Sequence, residues 1–246
     1  MNNPIVTNIK AVQDRIAAAC RKSGRSPDEV KLLLATKTVT ADRIKEALQA
    51  GHTLIAENKV QELKDKYEAL SAVPHINHFI GHLQTNKLKD LLACEVSCLQ
   101  SLDRFSLAEK LQQKLEAANQ SMEVLIQVNT SGEASKFGIE PEKAIELIRQ
   151  VATLDRLKVR GLMTIGLFCA DTGKVRQCFR LLKSLQEQVR AENIPGVRMQ
   201  ELSMGMSGDL ETAIEEGATI IRVGTAVFGQ RQYPDSYYWN ENSAAT

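Results

Sequence analysis

The chain has almost no net charge: 31 Lys and Arg stand against 30 Asp and Glu, a formal +1 over 246 residues. No general field draws it to nucleic acid or to an anionic membrane, so any anion recognition must be local. It lacks an apolar run of about 18 residues, the length that reads as a membrane span, and Met1 to Lys10 has no basic segment followed by an apolar one. Cysteine is scarce and odd in number. Cys20, Cys94, Cys98, Cys169 and Cys178 are too scattered for a disulfide framework and fit the reduced thiols of a cytoplasmic protein. The Cys94/Cys98 pair has no second ligand pair at a suitable spacing, so no metal site is expected. A G-x-G-x-x-G after the first strand is missing as well, which argues against an open dinucleotide-binding sheet. No low-complexity linker divides the chain.

What is present is a regular alternation. With 43% hydrophobic residues the chain can fill a substantial core. Helical spacing of Ile9, Val12, Ile16 and Ala19 predicts an extra N-terminal helix over about 5–23, stopped by Gly24. Strands are then predicted at Val30–Lys37, Thr53–Glu57, His78–Leu83, Val96–Gln100, Val124–Asn129, Val159–Ile165, Gln200–Met204 and Ile220–Val223. Amphipathic helices fall between them, including Ala41–Ala50, Val60–Leu70, Arg104–Asn119, Pro141–Thr153, Val175–Glu192 and Leu210–Glu216. Thr40, Asp103 and Asp209 precede helical runs as capping types. Eight strands alternating with helices argue for an α/β fold, a single parallel (β/α)8 TIM barrel over residues 1–231, although spacing alone does not prove closure. Residues 232–246 form a polar, aromatic tail with Tyr233, Tyr237, Tyr238 and Trp239.

Lys37 ends the apolar run Leu32 to Thr36, so a strand delivers its amine to the barrel mouth. A lysine desolvated there is driven toward the neutral form, and a neutral amine attacks aldehydes to form a Schiff base. In such barrels phosphates bind at the loops after strands seven and eight. Here those loops read Ser203-Met204-Gly205-Met206-Ser207-Gly208-Asp209 and Gly224-Thr225-Ala226, small residues and hydroxyls followed by a helix start. Either loop alone reads better as a tight turn, and the two together at the expected strands reverse that preference toward a phosphate cup. Arg222 alternates with Ile221 and Val223. It faces either the barrel interior, where a pyridine nitrogen would accept from it, or an outer carboxylate. Asn58, beside Glu57 at the end of the second strand, either donates to a ring oxygen or caps the next helix. His78, Ile80 and His82 share one face of the third strand, with His82 as a wall of the site or a satisfied core histidine ahead of a general base.

These segments also carry a family likeness. Leu33-Leu34-Ala35-Thr36-Lys37-Thr38, Glu57-Asn58-Lys59-Val60-Gln61-Glu62, the run from His78 to Lys87, Ser203 to Asp209 and Arg222-Val223-Gly224-Thr225 together resemble the pyridoxal phosphate homeostasis proteins. The resemblance spans about residues 5–231. It implies the fold-type III barrel, similar to the N-terminal domain of alanine racemase. It implies pyridoxal 5'-phosphate held covalently on Lys37, with Ser203, Gly224 and Thr225 at the phosphate, Arg222 at the pyridine nitrogen and Asn58 near the ring. Ala56 departs from the pattern, standing where many members have glycine.

Two functional classes follow. One is a cofactor-binding protein acting in vitamin B6 homeostasis, a monomer without catalytic residues of its own, with pyridoxal phosphate-dependent apoenzymes as partners. The alternative is a racemase-like enzyme. Racemisation needs a second acid/base group opposite Lys37, and the racemases supply it from a further β-domain for which this chain has no room.

Overall fold

The computed structural model describes residues 3–167 and 169–230; the tail expected at 232–246 lies outside the described residues. Eight parallel strands close into a barrel in sequence order: β1 (Lys31–Ala35), β2 (Leu54–Glu57), β3 (Ile76–Phe79), β4 (Val96–Leu102), β5 (Met122–Gln127), β6 (Leu157–Met163), β7 (Glu201–Ser203) and β8 (Ile220–Val223). β8 returns to β1 with Leu33 opposite Arg222. Around them run α1 (Pro4–Lys22), α2 (Ala41–Gln49), α3 (Val60–Leu70), α4 (Leu88–Ala93), α5 (Phe105–Ala117), α6 (Pro141–Ala152), α7 (Thr172–Glu192), α8 (Leu210–Glu215) and α9 (Thr225–Phe228). The closed TIM barrel and the extra N-terminal helix are as expected. No described helix is long and apolar enough to cross a membrane.

Two cores follow from strand alternation. Outward residues of the strands meet the helices in one large cluster that includes Leu34, Ile55, Phe79, Leu99, Ile126, Leu162, Leu202 and Ile221. Inward residues Leu33, Ala56, Cys98, Leu125, Met163 and Ile220 fill the barrel itself. The N-terminal helix begins at Asn3, whose Oδ1 accepts from Ile5 N at 2.9 Å with Pro4 in the first turn. It lies over α8, tied by Arg15–Glu211 and Lys22–Glu215 ion pairs.

Several local expectations need correction. β3 runs from Ile76 to Phe79, so His82 sits in the following loop and not on a strand face with His78. Alternation of polar and apolar residues carries past the strand end because Ile80 still packs on the inner core, which the pattern cannot separate from pairing. α5 starts at Phe105 with Arg104 as its cap, and Asp103 pairs with Arg104 at 2.6 Å instead of capping. Thr40 and Asp209 do precede helices, yet neither side chain caps its own helix; Asp209 Oδ1 accepts from Met206 N at 2.5 Å, closing the loop before α8.

Candidate functional site

Arg222 faces the barrel interior. It is in register with Leu33, shares a strand face with Ile220 of the inner core, and is 5% exposed. A guanidinium buried there needs acceptors. Nη1 donates to Ser203 Oγ and Nη2 to the Thr164 carbonyl, both at 2.8 Å; an outer-face carboxylate pair is therefore not its role. Ser203 donates onward to Gln100 Oε1 at 2.6 Å, a bond that crosses the interior from β7 to β4. The Gln100 amide nitrogen lies 2.7 Å from His78 Nδ1. That nitrogen can only donate, so Nδ1 accepts and neutral His78 carries its proton on Nε2. Desolvation, reinforced by the nearby Lys31 charge, lowers His78 to about 4 and keeps it an acceptor at neutral pH. Burial also lowers Arg222, to about 10, against the pull of Asp209. It remains a cation at neutral pH. On its other flank the Thr164 and Thr130 hydroxyls share a bond of 3.0 Å.

Lys37 emerges at the end of β1, the strand that pairs with β8. Pairing continues one residue beyond β1, with Thr36 N donating to Ala56 O at 2.9 Å. Lys37 then stands half-buried in a turn whose next residue, Thr38, has φ +64°. A β-branched residue in that region costs about 1–3 kcal/mol and persists only where its surroundings impose it. Here α3 imposes it. Glu62 Oε2 accepts from Thr38 N at 2.6 Å. Lys66 Nζ donates to Glu57 Oε1 at 2.7 Å, to Glu62 Oε2 at 3.0 Å and to the Thr36 carbonyl at 3.0 Å. Thr36 Oγ1 adds a bond of 2.6 Å to Glu57 Oε1. Glu57 is buried, and desolvation raises its pKa against the opposing charge of Lys66.

Asn58 follows Glu57. The cap of α3 is Lys59, so the capping role open to Asn58 is not taken. Its Oδ1 is buried and without a hydrogen-bond partner among the described residues, an acceptor waiting for a donor. Its main chain is pressed against Gly81, where an added Cβ would lie 1.8 Å from Asn58 O. Only glycine fits there.

The two loops expected to form a cup do meet. Ser207 Oγ lies 3.3 Å from Thr225 Oγ1 and 3.4 Å from Ala226 N, joining the loop after β7 to the start of α9. Gly224 and Thr225 also line a cavity of about 400 Å³ shared with Ala35, Lys37, Thr38 and Arg43. Lys37, Gly224 and Thr225 are therefore neighbours around one opening, while Ser203 and Arg222 lie deeper in the barrel. His82 stacks on Phe137 at 3.9 Å between ring centroids, with Asp103 Oδ2 at 3.6 Å, which makes it part of the wall. Gln100, Glu62 and Lys66 complete the site and were not singled out from sequence, whereas Ser207 falls in the loop expected at a phosphate; Thr164, which reads from sequence as barrel packing, joins them. The Glu62/Lys66 spacing of four on one helix was the available signal.

Residues 7–232 match the family described as alanine racemase, N-terminal domain. The pyridoxal phosphate homeostasis protein of Aquifex aeolicus is 44% identical over 225 residues, covering 92% of this chain and 97% of that one. The chain belongs to the pyridoxal phosphate homeostasis protein family. A solved member, PipY of Synechococcus elongatus with pyridoxal phosphate bound, is 31% identical with a TM-score of 0.77, covering 89% of this chain and 100% of PipY. Alanine racemase of Clostridium difficile, at 12% identity and a TM-score of 0.72, shares the fold over 93% of this chain but only 58% of the racemase.

Proposed function

We propose that this protein binds pyridoxal 5'-phosphate, holds it covalently through Lys37, and serves vitamin B6 homeostasis as a carrier without strong catalysis of its own. The observation that carries this reading is the convergence of a half-buried lysine and an interior arginine on one barrel mouth with a hydroxyl-lined loop pair beside them. The residues present fit such a ligand. Asn58 offers a buried, unpartnered acceptor, suited to the ring hydroxyl; Arg222, a cation held by Ser203 and Thr164, donates to the ring nitrogen; Gly224, Thr225 and Ser207, on the loop that follows Ser203, take the phosphate. Ser203 itself acts through Arg222, since its hydroxyl already links Arg222 to Gln100.

When bound, the cofactor would supply an aldehyde, the electrophile with which a lysine amine condenses with loss of water, and Lys37 would be the residue holding it. Lys37 supplies the amine and Arg222 fixes the ring. A carrier is favoured over a racemase because the relatives matched over most of the chain are homeostasis proteins, whereas alanine racemase of Clostridium difficile shares the fold alone. The reading extends to a monomer in a reducing, cytoplasmic setting, for which five free cysteines, four of them buried, speak, and to apoenzymes as recipients of the cofactor.

The test is borohydride reduction of the full chain after incubation with pyridoxal phosphate, followed by peptide mass mapping. Stable label on Lys37, absent in Lys37→Ala, is expected. Absence of label on the wild type, or undiminished label on the variant, refutes the tether. Sedimentation of the loaded protein as a dimer would overturn the monomer.

A further inference from the structure

Both peptide groups that flank Lys37 are gripped by one helix. The carbonyl of Thr36 accepts from Lys66 and the N–H of Thr38 donates to Glu62, both on α3, and Glu62 and Lys66 also bond each other. Nothing about the local sequence favours the turn so held, because Thr38 is β-branched and sits at φ +64°. The three ammonium hydrogens of Lys66 are matched by three acceptors, Thr36 O, Glu57 Oε1 and Glu62 Oε2, so this second lysine is not a competing nucleophile. It is 12% exposed and anchored to the barrel through buried Glu57.

We propose that Glu62 and Lys66 are positioning residues for Lys37: by fixing the main chain on either side, they hold its amine where it reaches a cofactor aldehyde. This rests on the cofactor reading above and adds to it a division of labour, with the ring and phosphate bound by one set of residues and the nucleophile aimed by another. Strain beside a reactive group that its neighbours actively maintain is the pattern expected of pre-organisation.

Two probes separate the sets. Pyridoxine 5'-phosphate has the ring and phosphate but no aldehyde, so its affinity reports the binding contacts alone. The rate at which the visible band forms after pyridoxal phosphate is added reports the amine. Glu62→Ala, at a half-buried position, is expected to slow band formation about tenfold or more while leaving pyridoxine phosphate affinity within about twofold. Glu62→Gln keeps an acceptor for Thr38 N–H and should restore most of the rate. Thr38→Gly in the Glu62→Ala background should also recover it, since glycine adopts φ +64° without a restraint. Lys66→Met, which frees the Thr36 carbonyl but strands Glu57, should reproduce the same split.

A Glu62→Ala rate equal to wild type, or a parallel loss with both probes, overturns the proposal. A wild type that binds pyridoxine phosphate but never forms the band overturns the tether and this inference together. A wild type that forms the band, with variants unchanged, overturns the inference alone.

Discussion

The two sides of the barrel mouth are built on opposite principles. Around Arg222 a single cation is hydrogen-bonded to neutral groups in a chain of fixed direction, from Arg222 through Ser203 to Gln100, whose amide donates to His78. The bonds run between side chains inside the barrel. Around Lys37 the holding groups are charged, come from a helix outside the barrel, and grip the main chain. The difference fits the roles proposed above. A guanidinium that only donates can be locked in place through its side chain, whereas a lysine proposed to form a covalent bond is aimed from a fixed backbone.

The largest expected effect tests whether the Lys37 side is as rigid as its partner. Gly81→Ala places a Cβ 1.8 Å from Asn58 O, main chain against main chain, and should destabilise by more than about 4 kcal/mol in urea unfolding. A loss below about 1 kcal/mol would mean that the end of β2 yields easily. Next comes Gln100→Leu, which leaves Ser203 and His78 without their partner inside the barrel. A loss of about 2–4 kcal/mol is expected, with unchanged labelling of Lys37 if the two sides are independent.

The Arg222 side should also carry the pH dependence. His78 titrates at about 4 in the fold against 6.5 when free. The unfolded chain therefore binds the extra proton between those values. Stability is complete above pH 6.5 and falls as pH drops toward 4, by at most about 3 kcal/mol. Urea midpoints across that window should decline less steeply in His78→Asn, and an identical decline would remove His78 as the cause. The smallest effect belongs to Ser207→Ala, which removes the link between the two phosphate loops. Stability should change by less than about 1 kcal/mol, while pyridoxine phosphate affinity falls about fivefold, the worth of roughly one hydrogen bond. Unchanged affinity would place the phosphate elsewhere.

Much of this was readable in the linear pattern. Seven of the eight strands stand where apolar runs bounded by turn residues put them, because parallel strands buried on both faces must be nearly continuous in hydrophobicity; β3 begins and ends earlier than expected. Lys37, Asn58 and Arg222 were visible for a related reason: each is a polar residue at the end of, or within, such a run. Gln100 was hidden, since it closes a predicted strand where a polar residue looks like an exit to solvent. The structure carries β4 on to Leu102 and turns Gln100 inward. Lys66 was hidden too, because a lysine on an amphipathic helix normally marks the wet face, and here it reaches back to buried Glu57. Ser203 was expected at a phosphate, and its hydroxyl bonds to Arg222 and Gln100, a link the linear pattern did not show.

By itself, then, the sequence determined the order of elements, an alternation of strands and helices that a barrel requires, and a lysine at the end of the first strand, since periodicity and the placement of polar residues in apolar runs are local properties. Which groups hold that amine and that guanidinium was decided only by closure of the barrel. Closure sets β7 across from β4, and lays α3 against the turn after β1. Those contacts join residues up to 103 positions apart in the chain; they exist because a closed sheet has a small polar interior that must satisfy itself.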